Sequence, residues 1–192
     1  MRGTSNSFVV ANTNKCIGCK VCEVVCFAVH NKNNQVVATV GTVVTPIIPR
    51  LYLVKGETLT MPIQCRHCED APCANSCIIG AIKQEDNTIV IDENACIGCK
   101  TCLLACPFGA IDLLPKFEDG EAVIQANLKE EGEYGLDDKV KTVAYKCDLC
   151  KEHGKPACVA VCPQKALTLV APAEEKKRRN RQAALSLLAA LK

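Results

Sequence analysis

The spacing of the cysteines constrains this chain more than any other feature, because they fall into four quartets with none left over. Quartets 1 and 3 have the spacing C-x2-C-x2-C-x3-C, whereas quartets 2 and 4 have x2-x4-x3 and x2-x7-x3. Pro107 and Pro163 directly follow quartets 3 and 4. The members are Cys16, Cys19, Cys22 and Cys26 (quartet 1); Cys65, Cys68, Cys73 and Cys77 (quartet 2); Cys96, Cys99, Cys102 and Cys106 (quartet 3); and Cys147, Cys150, Cys158 and Cys162 (quartet 4).

Three chemistries compete for cysteines in this arrangement. Sixteen cysteines in 192 residues do not indicate disulfides, because the chain starts without a predicted secretory signal and cytosolic thiols stay reduced. Zinc accounts for CxxC pairs and fits quartets 2 and 4, but it leaves the extra cysteine of x2-x2-x3 unexplained. Iron–sulfur clusters account for that spacing, and in two-cluster bacterial ferredoxins the fourth cysteine binds the other cluster. Iron–sulfur clusters are therefore the predicted cofactors.

The residues around the cysteines fit compact clusters. Gly18 and Gly98 stand inside the loops of quartets 1 and 3, where a missing side chain permits positive φ and a close approach of the backbone. Large aromatic side chains are scarce, with four Phe, three Tyr and no Trp, so the clusters would also fill the core.

An internal repeat predicts the fold class. Quartets 1 and 3 are offset by 80 residues at every cysteine, and FVVANTNKCIGCK parallels IVIDENACIGCK. Residues 65–114, which we call the inner region, read as one complete two-cluster ferredoxin with a hairpin turn at Asp86 and Asn87. Residues 7–26 and 147–170, the outer region, would form a second such unit from split halves. The prediction is an α+β fold of two nested ferredoxin-like units plus a C-terminal helix.

Two connectors lie between these regions. Residues 27–64 contain VVATVGTVVTPIIPRLYLV, which predicts short strands that pack on the ferredoxin body or form a partner face. Residues 115–146 are polar with several glycines and predict a surface loop with a short strand near 140–145.

The tail, residues 173–192, predicts a helix that needs a surface to cover its leucines. It carries six basic and two acidic side chains, and Glu174 and Glu175 suit the first helical turn. The apolar face comprises Ala184, Leu185, Leu188 and Leu191. This helix either packs on its own body, docks on a partner or on another copy in an oligomer or filament, or lies on an anionic membrane surface.

Bulk composition predicts a soluble cytoplasmic protein without a nucleic-acid partner. The chain has 23 basic and 21 acidic side chains and lacks a basic stripe with interleaved aromatics. No stretch approaches the roughly 18 to 20 apolar residues that a membrane span needs.

The phrases SFVVANTNKCIGCKVCEVVC, CRHCEDAPCANSC and ACIGCKTCLLACPFGAI resemble the iron–sulfur subunit of formate hydrogenlyase and its relatives. Those relatives include hydrogen-dependent carbon dioxide reductase, in which such subunits link a hydrogenase to a formate dehydrogenase. The resemblance covers residues 7–170 and implies four 4Fe-4S clusters. The tail lies outside the shared pattern.

The resemblance also implies crossed ligation. The four implied ligand sets are Cys16, Cys19, Cys22 and Cys162; Cys147, Cys150, Cys158 and Cys26; Cys65, Cys68, Cys73 and Cys106; and Cys96, Cys99, Cys102 and Cys77. Phe27 and Ile78 depart from the pattern, because a ferredoxin motif often has proline at these places, and they leave the helix exits there open.

The resemblance implies a non-catalytic subunit that relays electrons between the catalytic subunits of a formate dehydrogenase and a hydrogenase, directly or through another iron–sulfur subunit. His30, His67 and His153 are expected beside the clusters or at the surface, while Arg66 and Lys100 either tune cluster potential or face solvent. Two alternatives stay open. One is a polyferredoxin that is free or serves another oxidoreductase complex, and the other is a zinc-bound interaction module.

Overall fold

The computed structural model describes residues 5–30, 46–57, 59–132 and 135–190. The helices are α1 (Val21–His30), α2 (Pro72–Asn75), α3 (Thr101–Ala105), α4 (Ala157–Val161) and α5 (Pro172–Ala190). The strands are β1 (Phe8–Ala11), β2 (Tyr52–Lys55), β3 (Thr60–Ile63), β4 (Ile82–Glu85), β5 (Thr88–Ile91), β6 (Asp112–Pro115), β7 (Phe117–Glu118), β8 (Glu121–Ala122), β9 (Ile124–Gly132), β10 (Gly135–Val140), β11 (Thr142–Tyr145) and β12 (Leu167–Val170). The content is α+β, as predicted. Within these ranges no helix is both long and apolar enough to cross a membrane.

The strands form antiparallel pairs, and four of these pairs connect one quartet to the next. β2 pairs with β3 between quartets 1 and 2, β4 with β5 between quartets 2 and 3, and β6 with β11 between quartets 3 and 4. β1 precedes quartet 1 and β12 follows quartet 4. These two strands pair with each other, so a strand pair also lies between the last quartet and the first. Every quartet therefore lies between the ends of two strand pairs.

The predicted hairpin of the inner region is confirmed. β4 and β5 pair with Glu85 opposite Thr88, so that the turn contains two residues. Asp86 and Asn87 have φ of 46° and 62°. Positive φ at both central residues is the mark of a type I′ turn, whose twist matches that of the flanking strands.

β1 and β12 occupy the place in the outer region that β4 and β5 occupy in the inner region. Val9 in β1 and Ile89 in β5 stand at corresponding positions of the repeat, and both are fully buried. The Ser7 N–H donates to the Asn87 carbonyl at 3.2 Å, so the start of β1 lies beside the inner hairpin turn. The chain thus enters and leaves the outer region at the point where the inner region makes its turn.

Proline determines where the helices beside the quartets end. α3 and α4 end just before the last cysteine of quartets 3 and 4, which is extended (ψ 112° in both) because Pro107 and Pro163 follow. Phe27 imposes no such restriction, and α1 continues to His30. Ile78 does not lengthen α2, which ends before quartet 2 is complete.

The core consists of two clusters of buried residues in which cysteines are prominent. One centres on Ile89 and Val143 and also contains Cys73, Cys96 and Cys102. The other centres on Val9 and also contains Cys26, Cys65, Cys147 and Cys158. Because Cys65 belongs to the inner region, the two regions meet in this second cluster.

The connector of residues 115–146 differs from the predicted loop. β9 and β10 form an exposed antiparallel arm, while β11 is the short strand predicted near 140–145. The β9 sequence, IQANLKEEG, lacks alternating apolar residues because its side chains are almost all exposed. A strand that buries neither face gives no period-two signal in the sequence.

The other connector, residues 27–64, is described in part. Residues 31–45, and with them the strands expected in VVATVGTVVT, lie outside the described residues. In the remainder, β2 and β3 are short paired strands.

The leucines near the end of helix α5 are exposed. Leu185, Leu187 and Leu188 keep 58%, 68% and 60% of their surface exposed. One of the three predicted placements had these side chains packed on the body of the protein. The described residues do not have that packing. Leu191 lies outside the described residues.

Candidate iron–sulfur centres

The structure brings three cysteines of one quartet together with the last cysteine of another. A pocket that is partly open to solvent is lined by Cys16, Cys19, Cys22 and Cys162, which we call site A. A similar pocket is lined by Cys96, Cys99, Cys102 and Cys77, which we call site D.

The other cysteines form two more buried groups. Burial raises the pKa of Cys150 and Cys158, and the nearby Cys26 adds to that rise in both. Cys106 acts in the same way on Cys68 and Cys73. Site B comprises Cys147, Cys150, Cys158 and Cys26, and site C comprises Cys65, Cys68, Cys73 and Cys106. The four sets correspond to the crossed pairing implied by the resemblance, and cluster binding at them stays a prediction.

Tight loops position the cysteines of sites A and D. Gly18 and Gly98 have φ of 70° and 68°, and the lysines two residues later, Lys20 and Lys100, also have positive φ. A Cβ on Gly98 would lie 2.4 Å from the carbonyl oxygen of Thr142, so this loop admits only glycine. The predicted positive φ is therefore confirmed at both glycines, and the predicted close approach of the backbone is confirmed at Gly98.

Backbone N–H groups point at sulfur atoms in the two regions at corresponding places. His67 donates to Cys65 Sγ at 3.3 Å, and Leu149 donates to Cys147 Sγ at 3.4 Å. Further N–H donors to sulfur are Arg50 to Cys26 (3.2 Å), Ala110 to Cys106 (3.4 Å), Ala144 to Cys96 (3.5 Å) and Ala166 to Cys162 (3.2 Å). Hydrogen bonds of this kind stabilise negative charge on sulfur and raise the potential of a cluster.

Burial disfavours ionisation of several cysteine thiols. It raises the pKa of Cys22 and Cys73 to about 11 and that of Cys158 to about 12. A buried thiol becomes a thiolate where a nearby positive charge stabilises it, and metal ions supply such charge. Four sets of four cysteines in these surroundings are a donor set that fits thiolate-ligated iron–sulfur clusters.

Comparison with known proteins identifies the family. Residues 57–126 and 92–166 match two family models, each described as a 4Fe-4S dicluster domain. Electron transport protein HydN of Escherichia coli is 41% identical over 170 residues, covering 86% of this chain and 88% of HydN. Hydrogenase-4 component A of the same organism is 40% identical over 179 residues, with 86% and 82% covered. The chain belongs to the ferredoxin-like electron-transfer subunits of the formate hydrogenlyase family.

Membership in the formate hydrogenlyase family confirms the resemblance drawn from the cysteine phrases. Another relative, putative electron transport protein YsaA of Escherichia coli, is 38% identical over 181 residues, covering 92% of this chain and 98% of YsaA. Two dicluster domains indicate 4Fe-4S clusters, and the names of these relatives describe electron transport and a hydrogenase component.

Two buried polar side chains of this formate hydrogenlyase-type subunit lie within two residues of Cys65 of site C. His67 is 1% exposed, and its Nδ1 accepts the Ile89 N–H at 2.9 Å. Burial, aided by the nearby Lys146 ammonium, lowers the pKa of His67 to about 3, so the imidazole is neutral with its proton on Nε2. That Nε2 and the side-chain amide of Gln64 have no hydrogen-bond partner among the described residues. His67 thus lies beside the candidate ligands, which is one of its two predicted places. The burial of Gln64 and Lys146 was not predicted from the sequence.

A second polar network connects site B to the inner region. Arg50 donates to Asp148 at 2.9 Å and to Glu93 at 2.7 Å, and His30 Nε2 lies 2.9 Å from Asp148. Burial opposes protonation of His30, but the hydrogen bonds to Asp148 and Cys26 and the charge of Asp148 together outweigh it and raise the pKa of His30 to about 10. The network fixes the end of α1 beside Cys26.

The other polar candidates have simpler surroundings. His153 and Lys100 are exposed, which is one of the two places predicted for each. Arg66 donates to the Val9 carbonyl at 3.1 Å and lies 5.8 Å from the centre of the Phe8 ring. Arg66 therefore connects the inner region to β1.

Proposed function

We propose that the chain holds four 4Fe-4S clusters at sites A to D and relays electrons between a hydrogenase and a formate dehydrogenase. The observation that carries the proposal is the order of the four cysteine sets. Sites A and B share quartets 1 and 4, sites C and D share quartets 2 and 3, and Cys65 of site C packs in one core cluster with three cysteines of site B. This order makes a continuous row A–B–C–D from one region to the other.

The two ends of the row are the accessible ones. Cys19 of site A and Cys99 of site D are exposed, whereas the three cysteines that quartet 4 contributes to site B are buried. Exposed apolar side chains flank both ends, with Ile17 at site A and Ile97 at site D. Such ends suit the docking of redox partners, because they combine access to a centre with an apolar contact surface.

The residues of the chain would position the clusters and set their surroundings. When bound, 4Fe-4S clusters supply one-electron chemistry over a broad range of potentials. The N–H donors to sulfur stabilise negative charge, and the nested arrangement of the two regions holds sites B and C next to each other. No side chain of the described residues is assigned to bond-making chemistry in this proposal, and the terminal enzymes carry out catalysis.

The remaining parts of the proposal concern location and assembly. A cytoplasmic location suits sixteen cysteines that must stay reduced to ligate iron. The exposed leucines and basic residues of α5 suit docking on a partner or on another copy, and an anionic membrane surface is the other candidate.

Anaerobic purification of the tagged protein from its own host, with mass spectrometry of what accompanies it, tests the proposal. We expect a formate dehydrogenase and a hydrogenase in the same complex, and formate-dependent hydrogen production by it. A Cys99→Ser variant should slow this reaction, while Cys99→Ala serves as a second variant that separates loss of the ligand from a change in polarity. Iron-containing protein without a stable partner would instead support a free polyferredoxin, and colourless zinc protein would support an interaction module.

A further inference from the structure

Lys146 carries a buried positive charge between sites B and C. The side chain is 3% exposed, and Nζ donates hydrogen bonds to the carbonyl oxygens of Ile89 and Cys147, the latter at 2.9 Å. Ile89 belongs to the inner region and Cys147 to the outer one, so the ammonium lies where the two regions meet. Within the described chain, no carboxylate forms an ion pair with it.

A second buried lysine shows how unusual this arrangement is. Lys116 is 8% exposed, but its Nζ lies 2.5 Å from a Glu118 carboxylate oxygen and 2.6 Å from the Asn94 side-chain oxygen. The charge of Lys116 is therefore balanced by an adjacent carboxylate. Burial of a charge without such a partner is costly, and two carbonyl oxygens compensate only in part.

The groups that balance Lys146 are the cysteine sites on either side. Cys147 of site B directly follows Lys146, and its carbonyl accepts a hydrogen bond from Nζ. Ile89, whose carbonyl is the other acceptor, packs in one core cluster with Cys73 of site C. The ammonium thus lies beside residues of both sites. A 4Fe-4S cluster with four thiolates is anionic, so a loaded pair of sites would supply the negative charge that the lysine otherwise lacks.

The position equivalent to Lys146, immediately before the inner region, has no charge. Lys146 directly precedes the first cysteine of quartet 4, and Gln64 directly precedes the first cysteine of quartet 2. Gln64 is also buried, at 4% exposure. The two regions therefore repeat the fold at this place but not the charge, so this pair of equivalent positions supplies one cation rather than two or none.

We propose that Lys146 sets the potential of the two middle centres: its fixed charge stabilises the electron added at sites B and C and makes them easier to reduce than they would otherwise be. The inference rests on the proposed function, because it requires clusters at these sites. Each reduction adds one electron from the reductant and requires no proton from Lys146. The field of a buried charge is weakly screened, so its effect on centres next to it is strong.

Redox titration of the anaerobic full-length protein, followed by EPR, tests the proposal. Dithionite supplies the electrons, and the variants are Lys146→Gln, Lys146→Met and Lys146→Arg. We expect both neutral variants to lower the potential of two of the four centres. At a fixed potential the ratio of reduced to oxidised centre should fall at least tenfold, which is 59 mV for one electron. Lys146→Arg, which keeps the charge, should retain the original potentials.

Lys116→Gln is the matched control, because it removes a buried lysine charge that Glu118 balances. It should leave the potentials of the middle centres unchanged. Equal potentials in the wild type and the neutral variants would overturn the proposal, as would an equal shift of all four centres. Loss of iron from both neutral variants with full iron in Lys146→Arg would also overturn it, since Lys146 would then act in assembly. The absence of iron–sulfur signals in the wild type would instead overturn the proposed function.

Discussion

The inner and outer regions have the same local structure, although their strands are connected differently along the chain. In the outer region the Asn12 N–H donates to the Ala166 carbonyl at 2.8 Å, and in the inner region the Asp92 N–H donates to the Ala81 carbonyl at the same distance. The loops that follow also agree, since Lys20 and Lys100 both have positive φ. A cysteine loop of this type therefore adopts its conformation from its own sequence and the strand before it.

The two regions differ in how they are closed. The inner strands β4 and β5 are joined by a two-residue turn, whereas β1 and β12 come from opposite ends of the chain. Closing a long loop costs more entropy than closing a short one, although the cost grows slowly with length. The outer region must therefore gain more from contacts between its halves. We infer that bonds from both halves to clusters at sites A and B supply part of that gain.

The largest expected effect follows from this difference. Cys162 and Cys77 are the last cysteines of quartets 4 and 2, and each lines the site built mainly by the other quartet of its region. Cys77→Ser should remove the cluster of site D alone. Cys162→Ser should remove that of site A and also weaken site B, because the halves of the outer region lose a connection. Iron content and EPR of the two purified variants measure this. Equal iron loss in both would mean that closure of the outer region does not depend on ligation.

A second prediction concerns the length of α1. Phe27→Pro gives quartet 1 the proline that ends α3 and α4, and it should end α1 before His30 reaches Asp148. Proline inside a helix costs about 3 kcal/mol or more, so the variant should unfold at clearly lower guanidinium concentration under anaerobic conditions. Phe27→Ala is the control, since it removes the ring and keeps the helix. If both variants have the same midpoint, the extension of α1 contributes nothing to stability.

A third prediction compares the equivalent glycines of the two regions. Alanine at either place adopts an unfavourable positive φ, at a cost of about 1–2 kcal/mol. At Gly98 the new Cβ would also lie 2.4 Å from a backbone oxygen, whereas at Gly18 the nearest atom is a Thr60 methyl group at 3.0 Å. Gly98→Ala should therefore lose about 1–3 kcal/mol more than Gly18→Ala through overpacking. Guanidinium midpoints, followed by the visible absorption of the clusters, give the comparison, and the reverse order would contradict it.

The smallest effect on either region is expected from the tail. Removal of residues 173–192 should leave iron content and the unfolding midpoint unchanged, because the α5 side chains are almost all exposed. The same truncation should reduce the size of the assembly if α5 docks on a partner or another copy. Size-exclusion chromatography with light scattering measures this, and an unchanged mass would exclude assembly through α5.

The comparison also indicates what sequence can and cannot reveal. Quartets, glycines and the Asp86–Asn87 turn were predictable, because each depends on local spacing and backbone conformation. The β9–β10 arm was not, because it buries no apolar face and leaves no periodic pattern. Lys146 was not either: a lysine before a CxxC pair carries no local sign of burial. Its surroundings arise only when Ile89 from the other region packs against it.

The most direct test of the account is the metal content of the full chain. Anaerobically purified protein should be analysed for iron, zinc and acid-labile sulfide, and its dithionite-reduced form should be examined by EPR. We expect about four iron and four sulfide atoms for each of sites A to D, with signals of reduced clusters that interact with their neighbours. Colourless protein with zinc, or iron sufficient for only one or two sites, would contradict a continuous row of four centres.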